Sequence, residues 1–131
     1  MGDLVGYQIR FDASHFSKAK TAVKFMTDGI LLKEIEADFL LRKYAVIVVD
    51  EAHERSLNSD IIVSLLTRIA HARCELAFKE RRTLGLDKFV NYPLRIVIMS
   101  ATLRVEDFKD NPRLFPPKLT RPPNVVSVQT R

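Results

Sequence analysis

Two short runs of aliphatic residues constrain the fold of this chain more than any other feature. Tyr44–Val49 is almost free of polar side chains, and Leu94–Met99 repeats the pattern after a long polar interval. Short continuous runs of this kind are typical of strands buried on both faces, as the inner strands of parallel sheets are. We therefore expect two neighbouring strands in a sheet that is covered by helices.

The first two thirds of the chain alternate between strand and helix patterns. Val5–Phe11 and Ala22–Met26 predict short strands, and Thr27 or Asp28 is placed to cap the helix that follows. A longer helix carries an apolar stripe at Ile61, Ile62, Leu65, Leu66, Ile69 and Ala70. Strands that alternate with helices predict an α/β fold with a mostly parallel sheet.

The last third of the chain is less regular. Arg73–Asn91 is polar and basic, which predicts the tail of the long helix followed by a loop. A short helix is expected at about 105–110, and prolines interrupt the segment after it. Asn124–Gln129 alternates apolar and polar residues, as a last strand would.

An acidic pair, Asp50 and Glu51, directly follows the first buried run. Ligands of open parallel sheets bind outside the carboxyl ends of the strands, and the pair occupies such an end. One carboxylate can hold Mg²⁺ through water, and the second can orient or deprotonate an attacking water molecule. The alternative, more frequent for an isolated Asp-Glu pair, is that the two acids only cap the following segment.

Three further polar side chains lie at the same predicted strand ends. His53 is placed to sense the state of a nucleotide pocket, and no second histidine completes an H-E-x-x-H zinc site. Ser100 and Thr102 end the second apolar run, where hydroxyl groups also serve as helix caps. An ordinary surface histidine and a plain cap are the alternatives, and only the joint occurrence of these residues favours chemistry.

The helix that begins near Thr27 is a third candidate site. Helix N-termini bind phosphate groups through free amides and the positive end of the helix dipole. Gly29 allows close approach of a backbone, since it has no Cβ atom. A plain helix start is the alternative, and it is favoured for these residues taken alone.

Charge and cysteine content narrow the class of protein. The net charge is +5 and the sequence pI is about 9.6, which favour a polyanionic partner and a solvated basic surface equally. Cys74 is the only cysteine, so an internal disulfide is excluded and a reducing compartment is favoured. We see no signal-peptide pattern and no apolar run long enough to span a bilayer, and expect a soluble intracellular protein.

Taken together, four segments resemble the ordered motifs of the DEAH-box RNA helicases. They are VGYQIRF, KFMTDGILLKEI, VIVVDEAHERS and IVIMSATL, and they cover nearly the whole chain. The resemblance implies that residues 1–131 form part of a first RecA-like domain of the P-loop NTPase type. SATLRVEDF and NPRLF are in addition similar to the nucleolar DEAH-box helicases of small-ribosomal-subunit assembly.

The resemblance implies ATP and Mg²⁺ as cofactors and assigns a role to each strand-end residue. Asp50 would coordinate the Mg²⁺ of bound ATP through water, and Glu51 would activate the hydrolytic water. His53 would couple nucleotide state to RNA binding. Ser100 and Thr102 would link hydrolysis to strand separation.

The resemblance also implies partners and a location. Thr27, with Gly29 beside it, would touch the RNA backbone, a contact that positions RNA without reading its sequence. The RNA would be pre-ribosomal, a cofactor protein and the remaining helicase domains would be further partners, and the nucleolus within the nucleus would be the compartment. No membrane association is implied.

Some expected family features are missing from these residues. No G-x-x-x-x-G-K-[ST] phosphate loop is present, so no lysine and backbone nest would cradle a triphosphate, and the second motor domain is missing as well. Arg73–Asn91 is longer than the family's connection. We therefore expect the isolated chain to be inactive, and the alternative function is that of a non-catalytic, basic RNA- or protein-binding module derived from a helicase.

Overall fold

The computed structural model describes residues 4–9, 21–84, 92–101, 108–115 and 123–128. The chain divides into two compact units, Met1–Leu41 and Arg42–Arg131, and each is described by itself. None of the helices in the described ranges combines the length and the apolar character needed to cross a membrane.

The first unit contains a parallel strand pair and one helix. Strand β1 (Val5–Gln8) pairs with β2 (Val23–Met26) in parallel, and helix α1 (Asp28–Ala37) follows. The helix buries the apolar side chains of Ile30, Leu31 and Ile35. The strand predicted at Ala22–Met26 and the helix after it are confirmed. Of the strand predicted at Val5–Phe11, Val5–Gln8 is confirmed, and residues 10 and 11, like the turn expected at 12–20, lie outside the described residues.

An ion pair within the first unit joins β2 to α1. The Lys24 ammonium donates a hydrogen bond to the Glu34 carboxylate, and the two side chains are only 4% and 13% exposed. Burial raises the electrostatic strength of such a pair but also the cost of removing either partner. The contact fixes the direction in which α1 leaves the strand, and therefore the position of the helix start at Thr27.

The second unit contains a second parallel pair, with a long helix as the crossover. Strand β3 (Val46–Val49) pairs with β4 (Arg95–Ile98), and helix α2 (Leu57–Leu84) lies between them in sequence. The helix begins after Ser56, whose Oγ accepts a hydrogen bond from the Ser59 amide at 3.1 Å. Of its predicted apolar stripe, Ile62, Leu66 and Ile69 are buried and Leu65 and Ala70 are half-buried, whereas Ile61 is 40% exposed.

Arg73 attaches the middle of α2 to the start of both strands. Its side chain is buried, Nε donates to the Tyr92 carbonyl at 2.7 Å, and Nη1 donates to the Tyr44 carbonyl at 2.6 Å. Hydrogen bonds from a charged donor contribute about 1.5–3 kcal/mol each. Arg73 therefore sets the spacing of the segments that lead into β3 and β4.

The prediction that both apolar runs are buried on two faces is wrong. In β3 buried and exposed residues alternate, with Val46 45% and Val48 54% exposed, and in β4 Val97 is 44% exposed. The physical reason is the size of the sheet. Helix α2 packs against β4, whereas the outward side chains of this two-stranded sheet stay in contact with solvent.

The predicted last strand is wrong, and the predicted short helix lies only partly within the described residues. Residues 123–128 form no strand, and Val126 and Val128 are each 85% exposed, because alternation specifies a strand only where a neighbouring strand accepts its hydrogen bonds. Of the helix expected at 105–110, Phe108 and Lys109 are helical and 105–107 lie outside the described residues. The described strands form two parallel pairs rather than one continuous sheet.

Candidate functional site

The carboxyl ends of β3 and β4 meet through backbone hydrogen bonds that extend beyond the strands. The Met99 amide donates to the Val49 carbonyl at 2.8 Å, and the Ala52 amide donates to the Met99 carbonyl at 3.1 Å. The turn after β3 is thereby fixed beside the residue that precedes Ser100. The shared sheet edge predicted for 50–53 and Ser100 is present, and Thr102 lies outside the described residues.

The acidic pair occupies an unusual backbone conformation at this edge. Asp50 is exposed, and its Oδ1 accepts a hydrogen bond from the Glu51 amide at 2.9 Å. Glu51 has φ 53° and ψ 35°, in the left-handed region that residues other than glycine seldom adopt. This conformation reverses the chain sharply, so the Glu51 carboxylate remains 61% exposed beside the strand end. Non-glycine residues in this region cluster at functional sites.

His53 lies in the 3₁₀ turn Ala52–Glu54 and contacts Glu51. Its Nε2 is 3.2 Å from Oε2 of Glu51, close enough for a hydrogen bond that restrains the carboxylate. Its Nδ1 is buried and has no hydrogen-bond partner among the described residues. A buried nitrogen without a partner is costly in a resting protein.

Arg55 and Asp60 are polar residues of the site that sequence reasoning did not assign. Arg55 ends the 3₁₀ turn in the left-handed region, with φ 49°, and its guanidinium binds both carboxylate oxygens of Asp60 at 2.9 and 3.1 Å. The same guanidinium carbon lies 5.8 Å from the centre of the Phe108 ring. The only sequence signal was the tripeptide Glu54-Arg55-Ser56 after the acidic motif. These contacts bring the start of α2 close to Phe108.

The donor set at this edge fits a metal that keeps its water ligands. Within the described ranges no three His, Cys, Asp or Glu side chains converge as a metal cluster. Asp50 offers an exposed carboxylate, and one of its oxygens already accepts the Glu51 amide. Mg²⁺ commonly binds through one or two carboxylates together with water and substrate phosphates, so a Mg²⁺–nucleotide fits these residues.

Thr27 and Gly29 lie at the start of α1, in the first unit. Thr27 is the N-cap residue, and its carbonyl accepts the Ile30 and Leu31 amides at 3.0 and 3.1 Å. Of the two predicted caps, Thr27 and Asp28, Thr27 occupies the N-cap position, but its hydroxyl makes no cap hydrogen bond. Both residues are exposed, and a Cβ atom built on Gly29 would meet no atom of the described residues within 4 Å. The described residues therefore leave room for a close backbone approach at Gly29.

Nearly the whole chain is homologous to ATP-dependent RNA helicases of the DEAH-box family, and it belongs to that family. It is 46% identical to the ATP-dependent RNA helicase DEAH13 of Arabidopsis thaliana over 136 aligned residues, which cover 100% of this chain and 10% of the relative. The identity is 48% with the "Probable ATP-dependent RNA helicase DHX37" of Homo sapiens, over 98% of this chain and 9% of the relative.

A third relative extends the comparison to fungi. The chain is 50% identical to the "Probable ATP-dependent RNA helicase DHR1" of Saccharomyces cerevisiae, over 88% of this chain and 8% of the relative. No family model matches the chain. The chain thus spans about a tenth of the length of these relatives. The family predicted from the four motifs is confirmed.

Proposed function

We propose that this chain contributes the water-activating edge of the first RecA-like domain in an ATP-dependent RNA helicase that unwinds or remodels RNA. The observation that carries the proposal is the pair of hydrogen bonds joining Val49, Met99 and Ala52 at the carboxyl edge of β3 and β4. They hold the acidic turn beside Ser100, so hydrolysis of a bound nucleotide at the turn could directly affect the segment that starts at Ser100. The α/β architecture with parallel strand pairs is compatible with part of a RecA-like domain.

In the proposed mechanism, each residue of the turn has a separate task. Asp50 would hold the hydrated Mg²⁺ of ATP, and Glu51 would accept a proton from the water that attacks the terminal phosphate. His53 orients the Glu51 carboxylate through the 3.2 Å contact. Mg²⁺ supplies charge neutralisation at the phosphates when it is bound. Ser100 links ATP hydrolysis to the separation of RNA strands.

The proposed reaction needs groups beyond these 131 residues. Phosphoryl transfer depends on fixing the triphosphate, and the sequence contains no phosphate loop to do so. We therefore propose that the chain works only within a full-length helicase that supplies the loop and a second motor domain, and that the isolated chain is inactive.

Replacing Glu51 by Gln tests the catalytic part of the proposal. In a full-length helicase that carries this chain, Glu51→Gln should lower RNA-stimulated ATP hydrolysis by about 100- to 10,000-fold, because an amide cannot accept the proton. ATP affinity should stay near the wild-type value. Glu54→Gln, an exposed acid in the same turn, is the matched control and should hydrolyse ATP normally. Equal turnover by Glu51→Gln and Glu54→Gln would remove Glu51 from the mechanism and favour the non-catalytic binding module.

We further propose that Thr27 and Gly29 contact the RNA backbone. The support is local geometry: the Thr27 hydroxyl is not used as a helix cap, and the space over Gly29 is open. The N-terminus of α1 adds the positive end of a helix dipole, which favours a phosphate group. The Lys24–Glu34 ion pair holds that helix start in place.

A Thr27→Val substitution tests the RNA contact, because valine keeps the shape of the side chain and removes the hydroxyl. Affinity for single-stranded RNA should fall roughly 2- to 10-fold, the effect of one lost hydrogen bond. Thr27→Ser keeps the hydroxyl and should bind RNA as the wild type does. Fluorescence anisotropy of a labelled oligonucleotide measures both variants in the full-length helicase, and equal affinities would exclude the contact.

We also propose which class of RNA this helicase acts on. The similarity of SATLRVEDF and NPRLF to nucleolar helicases supports pre-ribosomal RNA as substrate and small-subunit assembly as the process. We expect a tagged full-length protein to concentrate in the nucleolus and to purify with small-subunit precursors. Purification with spliceosomes instead would assign it to another branch of the family.

A further inference from the structure

The C-terminal part of α2 lies outside the four helicase motifs and has no role in the proposed mechanism. The helix continues to Leu84, well past Arg73, where its attachment to the strands is made. Ala77 continues the buried side of the helix. The opposite side at this level carries Phe78, Lys79 and Arg82, all exposed.

Phe78 is the unusual member of this group. Its side chain is 62% exposed, although a phenylalanine side chain gains more free energy than most when it is buried away from water. The Arg82 guanidinium carbon lies 5.8 Å from the ring centre, one helical turn further along. Such a cation–π pair stabilises a helix modestly. It also presents an aromatic surface and a positive charge side by side.

The charge around the ring is mostly positive. Lys79, Arg81 and Arg82 are exposed within one turn of the helix, and Arg68 lies four turns earlier on the side of Arg82, roughly 21 Å away along the axis. The acid on this side, Glu75, is 3.4 Å from the His71 Nε2. An elongated positive surface of this length suits a polyanionic chain.

We propose that Phe78, Lys79 and Arg82 bind single-stranded RNA in addition to the contacts made at the helicase motifs. A base stacks on the exposed surface of the Phe78 ring, while Lys79 and Arg82 contact the flanking phosphates. Interleaved aromatic and basic side chains are how proteins hold single strands without reading sequence. The proposal rests on the RNA helicase function proposed above.

The chemistry of the surface favours RNA over a protein partner. A protein interface has an apolar centre from which lysine and glutamate are depleted. Within the part of the chain that the structure describes, the helix neighbours of the ring are Glu75, Arg81 and Arg82 together with Cys74, so charged side chains outnumber apolar ones around Phe78.

Two substitutions of Phe78 separate stacking from apolar contact. In the full-length helicase without nucleotide, Phe78→Leu should weaken binding of a labelled oligouridine at least about 5-fold, the lower end of the effect of one stacked base. Leucine keeps an apolar, helix-favouring side chain but has no ring. Phe78→Trp keeps a ring and should bind as the wild type does.

Charge substitutions give an independent readout. Lys79→Gln and Arg82→Gln should each lower the slope of log affinity against log salt concentration by about one. Glu75→Gln is the matched control on the same side of the helix, and it should leave binding unchanged or make it tighter. Circular dichroism of every variant checks that the helical content is preserved.

The outcomes distinguish this proposal from the one on which it rests. Wild-type affinity in Phe78→Leu, with RNA-stimulated ATP hydrolysis intact, overturns the stacking site and leaves the helicase function standing. A wild-type protein that neither binds RNA nor responds to it overturns both. Loss of a protein partner by Phe78→Leu, with RNA affinity unchanged, would show a protein-docking surface instead.

Discussion

The site depends on one constraint: β3 and β4 remain hydrogen-bonded to each other beyond their last strand residues. The Met99 amide reaches back to Val49, and the Met99 carbonyl accepts the Ala52 amide across the turn. One residue thus holds both the end of β3 and the turn that follows it. A shift of this pairing by one residue would turn the strand side chains to the opposite face, and the acidic turn would no longer be held beside Met99.

The opposite end of the same sheet is held by α2. Arg73 donates to the carbonyls of Tyr44 and Tyr92, the segments that lead into β3 and β4. The helix therefore fixes the start of each strand, while backbone hydrogen bonds fix the ends. Near its own N-terminus, the Arg55–Asp60 pair holds the turn that carries His53. The elements β3, β4 and α2 thus stabilise both the fold and the site.

Local patterns predicted the elements well because they depend on near neighbours. The strand Val23–Met26, the helix after Thr27 and most of the apolar stripe of α2 appear where the sequence places them, although Ile61 of that stripe is exposed. The exposure of Val48 and the absence of a strand at 123–128 depend on which segments lie alongside, which no local pattern contains. The left-handed backbone of Glu51 could not be predicted either, because no glycine stands at this position to indicate such a turn.

We propose that one metal–nucleotide binds beside both the acidic turn and the end of β4. Localised cleavage tests it directly: Fe²⁺ replaces Mg²⁺ in the full-length helicase with a non-hydrolysable ATP analogue, and ascorbate with peroxide cuts the backbone near the metal. The account predicts nucleotide-dependent cuts at 50–53 and at 99–101, both lost in Asp50→Asn. Cuts confined to other segments, or unaffected by Asp50→Asn, would contradict it.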